Sequence, residues 1–373
     1  MGLFTAALPD FPWDTLTPYA EQARRHPDGI ADLSVGTPVD PTPELLRRAL
    51  AQAADSPGYP QTWGTPQLRA AVADWFARRR NVPDLDPAGV LPTVGSKEMV
   101  ALLPALLGLG AGDLVLHPAA AYPTYDVGAR LAGATPVPVD DPVAALTGPQ
   151  GARVKLVWLN SPGNPDGSVL GVDRLRAVVE AARAVGAVVA SDECYAELPW
   201  AEPWVTDGVP SVLDPRVTGG DHRGLLALYS LSKQSNLAGY RAAFTAGDPE
   251  LVAGLLATRK HAGMIVPGPV QAAMTVALGD DAHVEEQRER YRARRQVLLP
   301  ALEGAGLRLD GSEAGLYLWV TADQDCWATV ARLAELGILV APGTFYGAPR
   351  HVRVALTGTD ERIAAAAARL RSV

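Results

Sequence analysis

The stretch Leu225-Leu-Ala-Leu-Tyr229, followed by Ser230-Leu-Ser232-Lys233-Gln-Ser-Asn-Leu-Ala-Gly239-Tyr-Arg241, joins an apolar run to a turn of small and polar residues. Short apolar runs bounded by turn residues are typical of buried strands. The turn therefore places two hydroxyls, one lysine and one arginine close to a predicted strand end. From this stretch alone, a solvated surface lysine is the alternative interpretation of Lys233.

Lysine is rare in this chain, which sharpens the interpretation of Lys233. Of 33 lysines and arginines only four are lysines, at positions 97, 155, 233 and 260. A lysine held near hydroxyl and guanidinium groups suits a cofactor that bears both an aldehyde and a phosphate, as pyridoxal 5'-phosphate does. The amine would form a Schiff base, and the other groups would hold the phosphate.

Apolar runs of this kind alternate with helical patterns through the middle of the chain. Residues 172–185 place Leu175, Val178, Val179 and Ala182 on one face, as an amphipathic helix does. Alternating strands and helices predict an α/β fold with a mainly parallel sheet covered on both sides, in which ligands collect at the carboxyl ends of the strands. The other predicted strands are Leu114-Val-Leu116, Val154-Lys-Leu-Val-Trp-Leu159, Ala187-Val-Val-Ala190 and Ala242-Ala-Phe-Thr-Ala246.

The last part of the chain predicts a second, smaller unit. Residues 281–303 form a long charged helical pattern, and the later apolar runs predict an α+β arrangement. The proline-rich start is expected to run extended and to rejoin this unit. We therefore expect a large domain at 41–280 and a small domain made of 1–40 and 281–373. The later runs are Gly315-Leu-Tyr-Leu-Trp-Val320, Ile338-Leu-Val340 and His351-Val-Arg-Val-Ala355.

Composition and charge argue against several classes of protein. The net charge of −8 argues against a nucleic-acid partner. Cys194 and Cys326 are too few for a disulfide scaffold, so a reducing, cytoplasmic setting is expected. The six histidines show no metal-ligand spacing. No apolar run reaches the ~18 residues of a membrane span, and residues 1–10 lack the basic and apolar regions of a signal peptide.

Further candidates follow two of the predicted strands. Asp192 ends the run before Glu193-Cys-Tyr195, and its carboxylate could pair with a protonated pyridine nitrogen or only cap a helix. Tyr195 could donate to a ring oxygen or simply pack. Asn164 lies in the tight turn Asn160-Ser-Pro-Gly-Asn164-Pro-Asp166-Gly167, which could face the same cavity or be a plain surface loop. The Asn164–Pro165 bond is a candidate cis peptide.

Three more segments carry candidate ligand groups. Gly95-Ser96-Lys97-Glu98 opens a predicted helix whose free amides can bind phosphate, although Ser96 could be only its N-cap. Tyr122 could stack on a planar cofactor or belong to the core. Arg353 lies within an apolar alternating run, where a buried guanidinium needs an anion. That anion could be an internal Asp or Glu or the carboxylate of a substrate.

In this order the motifs resemble the class I and II aminotransferases of fold type I, which use pyridoxal phosphate. The resemblance extends from Gly36 to Arg353. It rests on Ser-x-Ser-Lys with Gly and Arg six and eight residues after the lysine, on Asp-Glu-x-Tyr, and on Asn-Pro-x-Gly. It implies a large domain with a seven-stranded sheet, Lys233 as the Schiff-base lysine and proton-transfer base, and Asp192 at the pyridine nitrogen.

The resemblance also implies the rest of the site. Tyr122 would stack on the ring, and Arg353 would bind the substrate α-carboxylate with help from Asn164 and the backbone near Gly36. Tyr59 would reach the phosphate of a neighbouring subunit, which implies a homodimer with shared sites. The other implied cofactor contacts are Gly95, Ser96, Lys97, Asn164, Tyr195, Ser230, Ser232 and Arg241.

Three segments look like the actinobacterial N-succinyldiaminopimelate aminotransferases of lysine biosynthesis. That likeness implies glutamate as amino donor, N-succinyl-2-amino-6-oxopimelate as acceptor, and Arg259, Lys260 or His261 near the distal carboxylate. Two features depart from aspartate aminotransferases. The stacking residue is tyrosine instead of tryptophan, and no arginine for the second carboxylate can be placed in the sequence. Alternatives are another aminotransferase specificity, a C–S lyase on the same fold, or a cofactor-binding regulator. The three segments are Leu8-Pro-Asp-Phe-Pro-Trp-Asp14, Leu33-Ser-Val-Gly-Thr-Pro-Val-Asp-Pro41 and Arg259-Lys-His-Ala-Gly-Met264.

Overall fold

The computed structural model of the chain describes residues 8–9 and 12–372. Most of residues 1–10, for which no signal peptide is expected, and two residues of the segment 8–14 lie outside the described residues. No helix in the described part of the chain combines the length and apolar character that a membrane crossing requires.

The described strands are β1 (Ala31–Asp32), β2 (Val90–Val94), β3 (Leu114–Pro118), β4 (Thr135–Val139), β5 (Val154–Asn160), β6 (Val188–Asp192), β7 (Leu225–Ser230), β8 (Ala242–Gly247), β9 (Arg308–Gly311), β10 (Tyr317–Thr321), β11 (Ile338–Leu339), β12 (Ala341–Pro342) and β13 (His351–Ala355). The described α-helices are α1 (Thr17–Arg24), α2 (Glu44–Gln52), α3 (Pro66–Arg79), α4 (Ser96–Leu106), α5 (Thr124–Leu131), α6 (Pro142–Thr147), α7 (Val172–Val185), α8 (Trp204–Asp207), α9 (Pro215–Thr218), α10 (Leu231–Gln234), α11 (Pro249–Ala262), α12 (Gly268–Gly279), α13 (Ala282–Gly304), α14 (Cys326–Glu335) and α15 (Asp360–Leu370).

A seven-stranded sheet in the order β2-β8-β7-β6-β5-β3-β4 forms the large part of the molecule. Strand β8 is antiparallel to both of its neighbours, and the other adjacent pairs are parallel. Separate apolar clusters pack on its two faces, one containing Val90 and Leu114 and the other Leu91 and Val115. The predicted mainly parallel α/β sheet, covered on both sides, is therefore confirmed.

Two strands of this sheet escape sequence-based prediction because proline interrupts their apolar pattern. Strand β4 reads Thr-Pro-Val-Pro-Val and lies at one edge of the sheet, while β2 contains Pro92 and lies at the other. Proline cannot donate to a strand ladder, so sheets tolerate it chiefly at their edges. Helix α7, by contrast, covers the residues that its apolar face predicts.

The smaller sheets involve both ends of the chain. Strand β1 pairs in parallel with β11, and the antiparallel order β12-β13-β10-β9 forms a four-stranded sheet. A third apolar cluster combines residues from the first 33 positions, such as Leu16 and Leu33, with many residues from Tyr291 onward and with Tyr195 and Leu198. This cluster supports the two-domain division at about residues 41 and 281, which we retain as a proposal.

Candidate active site

Strands β5, β6 and β7 bring three polar residues to one edge of the large sheet. Each strand ends on its polar residue, namely Asn160, Asp192 and Ser230. In the parallel register Asn160 pairs with Asp192, so the two lie side by side. The carboxyl ends of the parallel strands thus form one wall of a cavity, as the alternation of strands and helices predicts.

The cavity has a volume of ≈ 500 Å³ and lies between this sheet edge and residues of the smaller sheet. It brings together the residues predicted to bind the cofactor and the α-carboxylate, except Gly95, which borders it, and Tyr59. Its lining consists of Trp13, Val35, Gly36, Thr37, Pro38, Ser96, Lys97, Val100, Tyr122, Tyr125, Asn160, Asn164, Asp192, Cys194, Tyr195, Ser230, Ser232, Lys233, Ala238, Arg241, Tyr317 and Arg353.

Lys233 projects into the cavity from α10, which directly follows β7. The Ser230 hydroxyl caps this short helix by accepting a hydrogen bond from the backbone N–H of Ser232. The Lys233 ammonium donates to the carbonyl of Gly36. Burial lowers the pKa of Lys233 below its ordinary value, and the charges of Arg353 and Arg241 act in the same direction. A lowered pKa leaves a larger share of the amine neutral, the form that acts as nucleophile or base.

Asp192 is a buried carboxylate held by hydrogen bonds. The Tyr125 hydroxyl donates to its Oδ2 over 2.9 Å, and the backbone N–H of Cys194 donates to its Oδ1 over 3.3 Å. Burial raises the pKa of Asp192 because the charged form loses its hydration. A protonated ring nitrogen beside it would supply the missing positive charge.

Candidate hydrogen-bond donors for a phosphate lie at the start of α4, on Arg241 and on the serines next to Lys233. Helix α4 begins at Ser96, directly after Gly95, which adopts a positive φ of 74°. A Cβ at Gly95 would lie 2.0 Å from Nη2 of Arg241, so only glycine lets this guanidinium approach. The hydroxyls of Ser230 and Ser232 lie 2.7 Å apart and also line the cavity.

Arg353 forms the opposite wall, on strand β13. Its Nη1 donates to the side-chain oxygen of Asn164 over 2.9 Å and its Nη2 to the Ser34 carbonyl over 2.8 Å. The guanidinium carbon lies 4.0 Å from the centre of the Tyr317 ring, and the side chain is buried. Within the described residues no carboxylate pairs with Arg353, and its buried Nε has no hydrogen-bond partner. The site can therefore accept an anion at this guanidinium.

Two tyrosines beside Arg353 share a hydrogen bond. The hydroxyls of Tyr195 and Tyr317 lie 3.3 Å apart. Burial raises the pKa of Tyr195 well above its ordinary value. Burial alone would raise the pKa of Tyr317 too, but the charges of Arg353 and Lys233 hold it below its ordinary value. Either hydroxyl can donate while both are protonated; Tyr317 is the one that loses its proton more easily, and Tyr195 would then donate to it.

Tyr122 lies in the loop two residues before α5 begins, and its partly exposed side chain lines the cavity. It meets the ring of Tyr125 edge to face, with centroids 6.3 Å apart. The exposed Lys97 places its Nζ 5.7 Å from the centre of the Tyr122 ring. One face of Tyr122 is therefore positioned where a planar cofactor could stack.

Some candidate residues lie outside the cavity lining. Tyr59 is fully exposed and does not line the cavity of its own chain, whereas its predicted contact is with a neighbouring subunit. Arg259 is fully buried and pairs with Glu98, so it does not face a substrate carboxylate. Lys260 and His261 are exposed and also lie outside the cavity lining. The candidate Asn164–Pro165 bond is not cis; the cis bonds of the described residues are Ser161–Pro162 and Glu202–Pro203.

Sequence reasoning also missed several cavity residues, among them Trp13, Tyr125, Cys194 and Tyr317. Tyr125 and Cys194 each lie within three residues of a predicted site residue, which was an available signal. Tyr317 belongs to an apolar run that is typical of a core strand, and only the pairing of β10 with β13 brings it to Arg353.

These groups fit pyridoxal phosphate at both of its ends. Gly95 has no side chain and so leaves room beside Arg241 that a Cβ would fill. This room lies next to the backbone amides at the start of α4. Asp192 offers a buried anion to a ring nitrogen, and Lys233 lines the same cavity as Asp192 and Arg241. No group of three or more His, Cys, Asp or Glu side chains in the described residues could hold a metal ion.

Comparison with known proteins gives the same assignment. The model of the family "Aminotransferase class I and II" matches residues 28–370. A 4-dedimethylamino-4-oxo-anhydrotetracycline transaminase of Streptomyces rimosus is 58% identical over 365 residues, covering 97% of this chain and 99% of that protein. A probable aminotransferase of Mycobacterium tuberculosis is 59% identical over 374 residues, covering 99% of this chain and 87% of that protein.

A solved structure shows the same fold. The probable N-succinyldiaminopimelate aminotransferase of Thermus thermophilus superposes with a TM-score of 0.85 at 30% identity, over 96% of this chain and 99% of that one. Sequence and structure agree over nearly the whole chain. The chain therefore belongs to the class I and II aminotransferases, a family of pyridoxal-phosphate enzymes that move an amino group from an amino donor to an oxo acceptor.

Proposed function

We propose that this chain transfers the amino group of glutamate to a 2-oxo acid or aldehyde acceptor, with Lys233, Asp192 and Arg353 in the principal roles. The observation that carries the proposal is the contrast between two buried arginines. Arg259 has Glu98 as an internal anion, whereas Arg353 contacts only an amide oxygen, a carbonyl and aromatic rings. A buried guanidinium of this kind suits the α-carboxylate of an amino acid, which it can bind with two parallel hydrogen bonds.

Each residue then has one task. Pyridoxal phosphate, when bound, supplies the electron sink that makes the Cα–H bond of an amino acid acidic. Arg353 orients the substrate α-carboxylate. The neutral Nζ of Lys233 would take the Cα proton as a base and then, as the ammonium, would give it to the carbon on the other side of the amino nitrogen, which completes a 1,3-proton shift. Asp192 keeps the ring nitrogen protonated. Ser96, the amide of Lys97, Ser230 and Arg241, with Ser232 beside them, hold the phosphate.

The first acceptor that we propose is N-succinyl-2-amino-6-oxopimelate. Support comes from the segments that resemble N-succinyldiaminopimelate aminotransferases and from the fold shared with the Thermus thermophilus protein. Arg259 is paired internally and the exposed Arg241 is proposed to hold the phosphate, so Lys97 is the other exposed cation of the cavity lining and could meet a distal carboxylate.

A polycyclic ketone is the second candidate acceptor. The Trp13 ring lines the cavity and packs against Phe345, with centroids 5.1 Å apart. Such an aromatic surface suits a flat apolar substrate. The 58% identical relative is named for an anhydrotetracycline substrate, which supports this alternative.

The transaminase proposal is tested by the first half of the reaction alone. Glutamate added to the loaded enzyme, without any acceptor, should change the absorbance spectrum of the bound cofactor and release one equivalent of 2-oxoglutarate. Lys233→Ala should abolish this reaction. Lys155→Ala is the matched control, because Lys155 lies outside the cavity and donates to the Ala152 carbonyl. Failure of every amino donor tried would overturn the proposal.

An acceptor screen separates the candidates. The enzyme is incubated with glutamate and either the succinylated oxopimelate, a set of common 2-oxo acids, or a polycyclic ketone, and kcat/KM is compared. A parallel incubation with cystathionine and no acceptor tests the C–S lyase alternative. Release of pyruvate and ammonia there, with no turnover in the other arms, would replace the transaminase proposal.

We also propose that two copies of the chain share their active sites. Tyr59 is an aromatic residue with its full surface exposed, which is unusual for a large ring. A partner subunit covering Tyr59 would explain this exposure and would bring its hydroxyl to the partner's phosphate site. Gel filtration with light scattering measures the mass directly, and a monomer that turns over at full rate would contradict the shared site.

A further inference from the structure

The helix that carries Lys233 is too short to hold itself in place. Helix α10 spans only four residues, and the chain leaves it through Asn236, which has a positive φ of 51°. A single helical turn fixes several dihedral angles for one hydrogen bond and is unstable alone. The position of Lys233 must therefore be set by contacts with the rest of the protein.

Three of these contacts come from one face of the long helix α13. Nε2 of His283 lies 2.8 Å from the Ser235 hydroxyl, and the Asn236 side-chain amide donates to Oε1 of Gln287 over 2.8 Å. The Tyr291 hydroxyl donates to the backbone carbonyl of Lys233 over 3.3 Å. Positions 283, 287 and 291 are four residues apart and so lie in one row along the helix.

The first contact is oriented by a carboxylate. Oδ2 of Asp280 lies 2.7 Å from Nδ1 of His283 and also accepts from the His283 backbone N–H over 3.0 Å. Because Nδ1 then carries the proton, Nε2 accepts and the Ser235 hydroxyl donates. The order Asp-His-Ser resembles that of hydrolases, but Ser235 is fully buried and no substrate can reach it. This leaves a holding role for the arrangement.

The same face of α13 also fixes the loop that receives the lysine amine. The side-chain amide of Gln287 donates to Asp40 over 2.8 Å, and Nη1 of Arg294 donates to the same oxygen over 2.8 Å. Asp40 lies four residues after Gly36, whose carbonyl accepts from the Lys233 ammonium. One helix therefore holds both the backbone of Lys233 and the segment its amine contacts.

We propose that the α13 face formed by His283, Gln287 and Tyr291 is a positioning element for Lys233, acting through Ser235, Asn236 and the loop at Asp40. These residues do not touch the cofactor or the substrate. They restrict the positions that the Lys233 amine can occupy, so that less conformational freedom has to be lost before the amine reaches the reacting carbon. The inference rests on the proposed role of Lys233.

The test compares Ser235→Ala with Ser211→Ala. Both serines are fully buried and hydrogen-bonded, but Ser211 bonds to Glu193 and has no contact with α10. Loss of one hydrogen bond should reduce the kcat of Ser235→Ala by about threefold to tenfold, with KM for glutamate unchanged, because Arg353 is untouched. Ser211→Ala should keep the wild-type kcat even where its unfolding temperature falls.

A second readout needs neither cofactor nor turnover. Competitive acetylation of the cofactor-free protein with acetic anhydride at a series of pH values, followed by mass spectrometry, gives the pKa of each of the four lysines. Burial lowers the pKa of Lys233, so a loosened α10 should let it rise towards its ordinary value in Ser235→Ala. Lys155 is the internal reference. Tyr291→Phe, which keeps the ring and removes only one hydroxyl, should act in the same direction if Ser235→Ala does not fold.

The outcomes separate the two proposals. If wild-type Lys233 does not bind the cofactor, the proposed function fails. If the wild type binds and transaminates while Ser235→Ala and Tyr291→Phe keep its kcat and its Lys233 pKa, the positioning role alone is overturned. A slower kcat together with a raised Lys233 pKa, absent in Ser211→Ala, supports it.

Discussion

The two walls of the cavity are built in different ways. The sheet-edge wall consists of residues at the ends of adjacent strands, where Asp192 pairs in register with Asn160 and with Leu228 of β7. The opposite wall joins Arg353 to the Ser34 carbonyl and to Asn164, residues separated by 319 and 189 positions. Strand pairing in the sheet positions the residues of the first wall, whereas a few long-range contacts position those of the second.

The walls also differ in charge. Asp192 is an anion whose burial raises its pKa, so the cofactor-free fold disfavours its charged form. Arg353 is a cation whose charge helps to lower the pKa values of Tyr317 and Lys233. The sheet-edge wall therefore calls for a bound cation and the opposite wall for a bound anion. A zwitterionic site of this kind matches a protonated ring nitrogen and an α-carboxylate.

Asp192→Asn gives the largest expected effect and tests the sheet-edge wall. Without its anion the ring nitrogen loses its proton, so kcat should fall by about 100- to 1,000-fold, the range typical of a lost preorganised charge interaction. Steady-state transamination measures this. A variant that keeps more than a third of wild-type kcat would show that Asp192 does not serve the ring.

The stability of the cofactor-free protein supplies the control for this variant. Burial alone would raise the pKa of Asp214, but hydrogen bonds from Arg216 hold that pKa below its ordinary value. Asp214 therefore adds stability above its unfolded pKa, whereas Asp192, with a raised pKa, loses stability as the pH rises through its folded value. At neutral pH Asp214→Asn should lower the unfolding temperature and Asp192→Asn should not.

Arg353→Gln gives the next largest effect and tests the opposite wall. Loss of two charge-assisted hydrogen bonds to a carboxylate should raise KM for glutamate by about 100-fold. Arg259→Gln is the matched control, because it leaves Glu98 without its partner. That variant should lower the unfolding temperature with little change in KM. Equal KM values in the two variants would remove the distinction between the two arginines.

How far sequence could predict each wall follows from the same difference. The sheet-edge residues lie directly after apolar runs, so local pattern places Asp192 and Ser230 at strand ends without any tertiary information. Local pattern alone predicts Arg353 only as a buried cation in need of an anion, and the resemblance to the family adds its role at the substrate α-carboxylate. Tyr317 was missed, because its neighbours Leu316 and Leu318 are fully buried and the run is typical of a core strand. Only the antiparallel pairing of β10 and β13 reveals its place.

The fold shows the same limit. Strands made of continuous apolar residues, such as β7, were predicted, while the proline-containing edge strand β4 was not. Tyr125 could not be assigned to Asp192 from sequence, since the two are 67 residues apart. Pairings over such distances depend on the order of strands in the sheet, and sequence spacing carries no record of that order.

Tyr317→Phe has a smaller expected effect and probes the junction of the two walls. The Tyr317 hydroxyl raises the pKa of Lys233, against the burial that lowers it. Its removal should therefore lower the Lys233 pKa further in the cofactor-free protein, as measured by competitive acetylation. Arg353→Gln should shift the same pKa upwards, because it removes a neighbouring positive charge. If the Lys233 pKa shifted in the same direction in both variants, this account would be contradicted. The kcat of Tyr317→Phe should also fall, by about threefold.

Tyr59→Phe has the smallest expected effect and asks whether a third component completes the sheet-edge wall. Tyr59 is fully exposed on this chain, so its hydroxyl can reach a phosphate only in a neighbouring copy. Loss of one hydrogen bond should raise the Kd of the cofactor by about threefold, with the oligomeric mass unchanged. Tyr240→Phe is the control, since Tyr240 is exposed and also lies outside the cavity lining. An unchanged Kd in a stable dimer would mean that each chain holds its phosphate with its own residues, and the sheet-edge wall would then be complete without the partner.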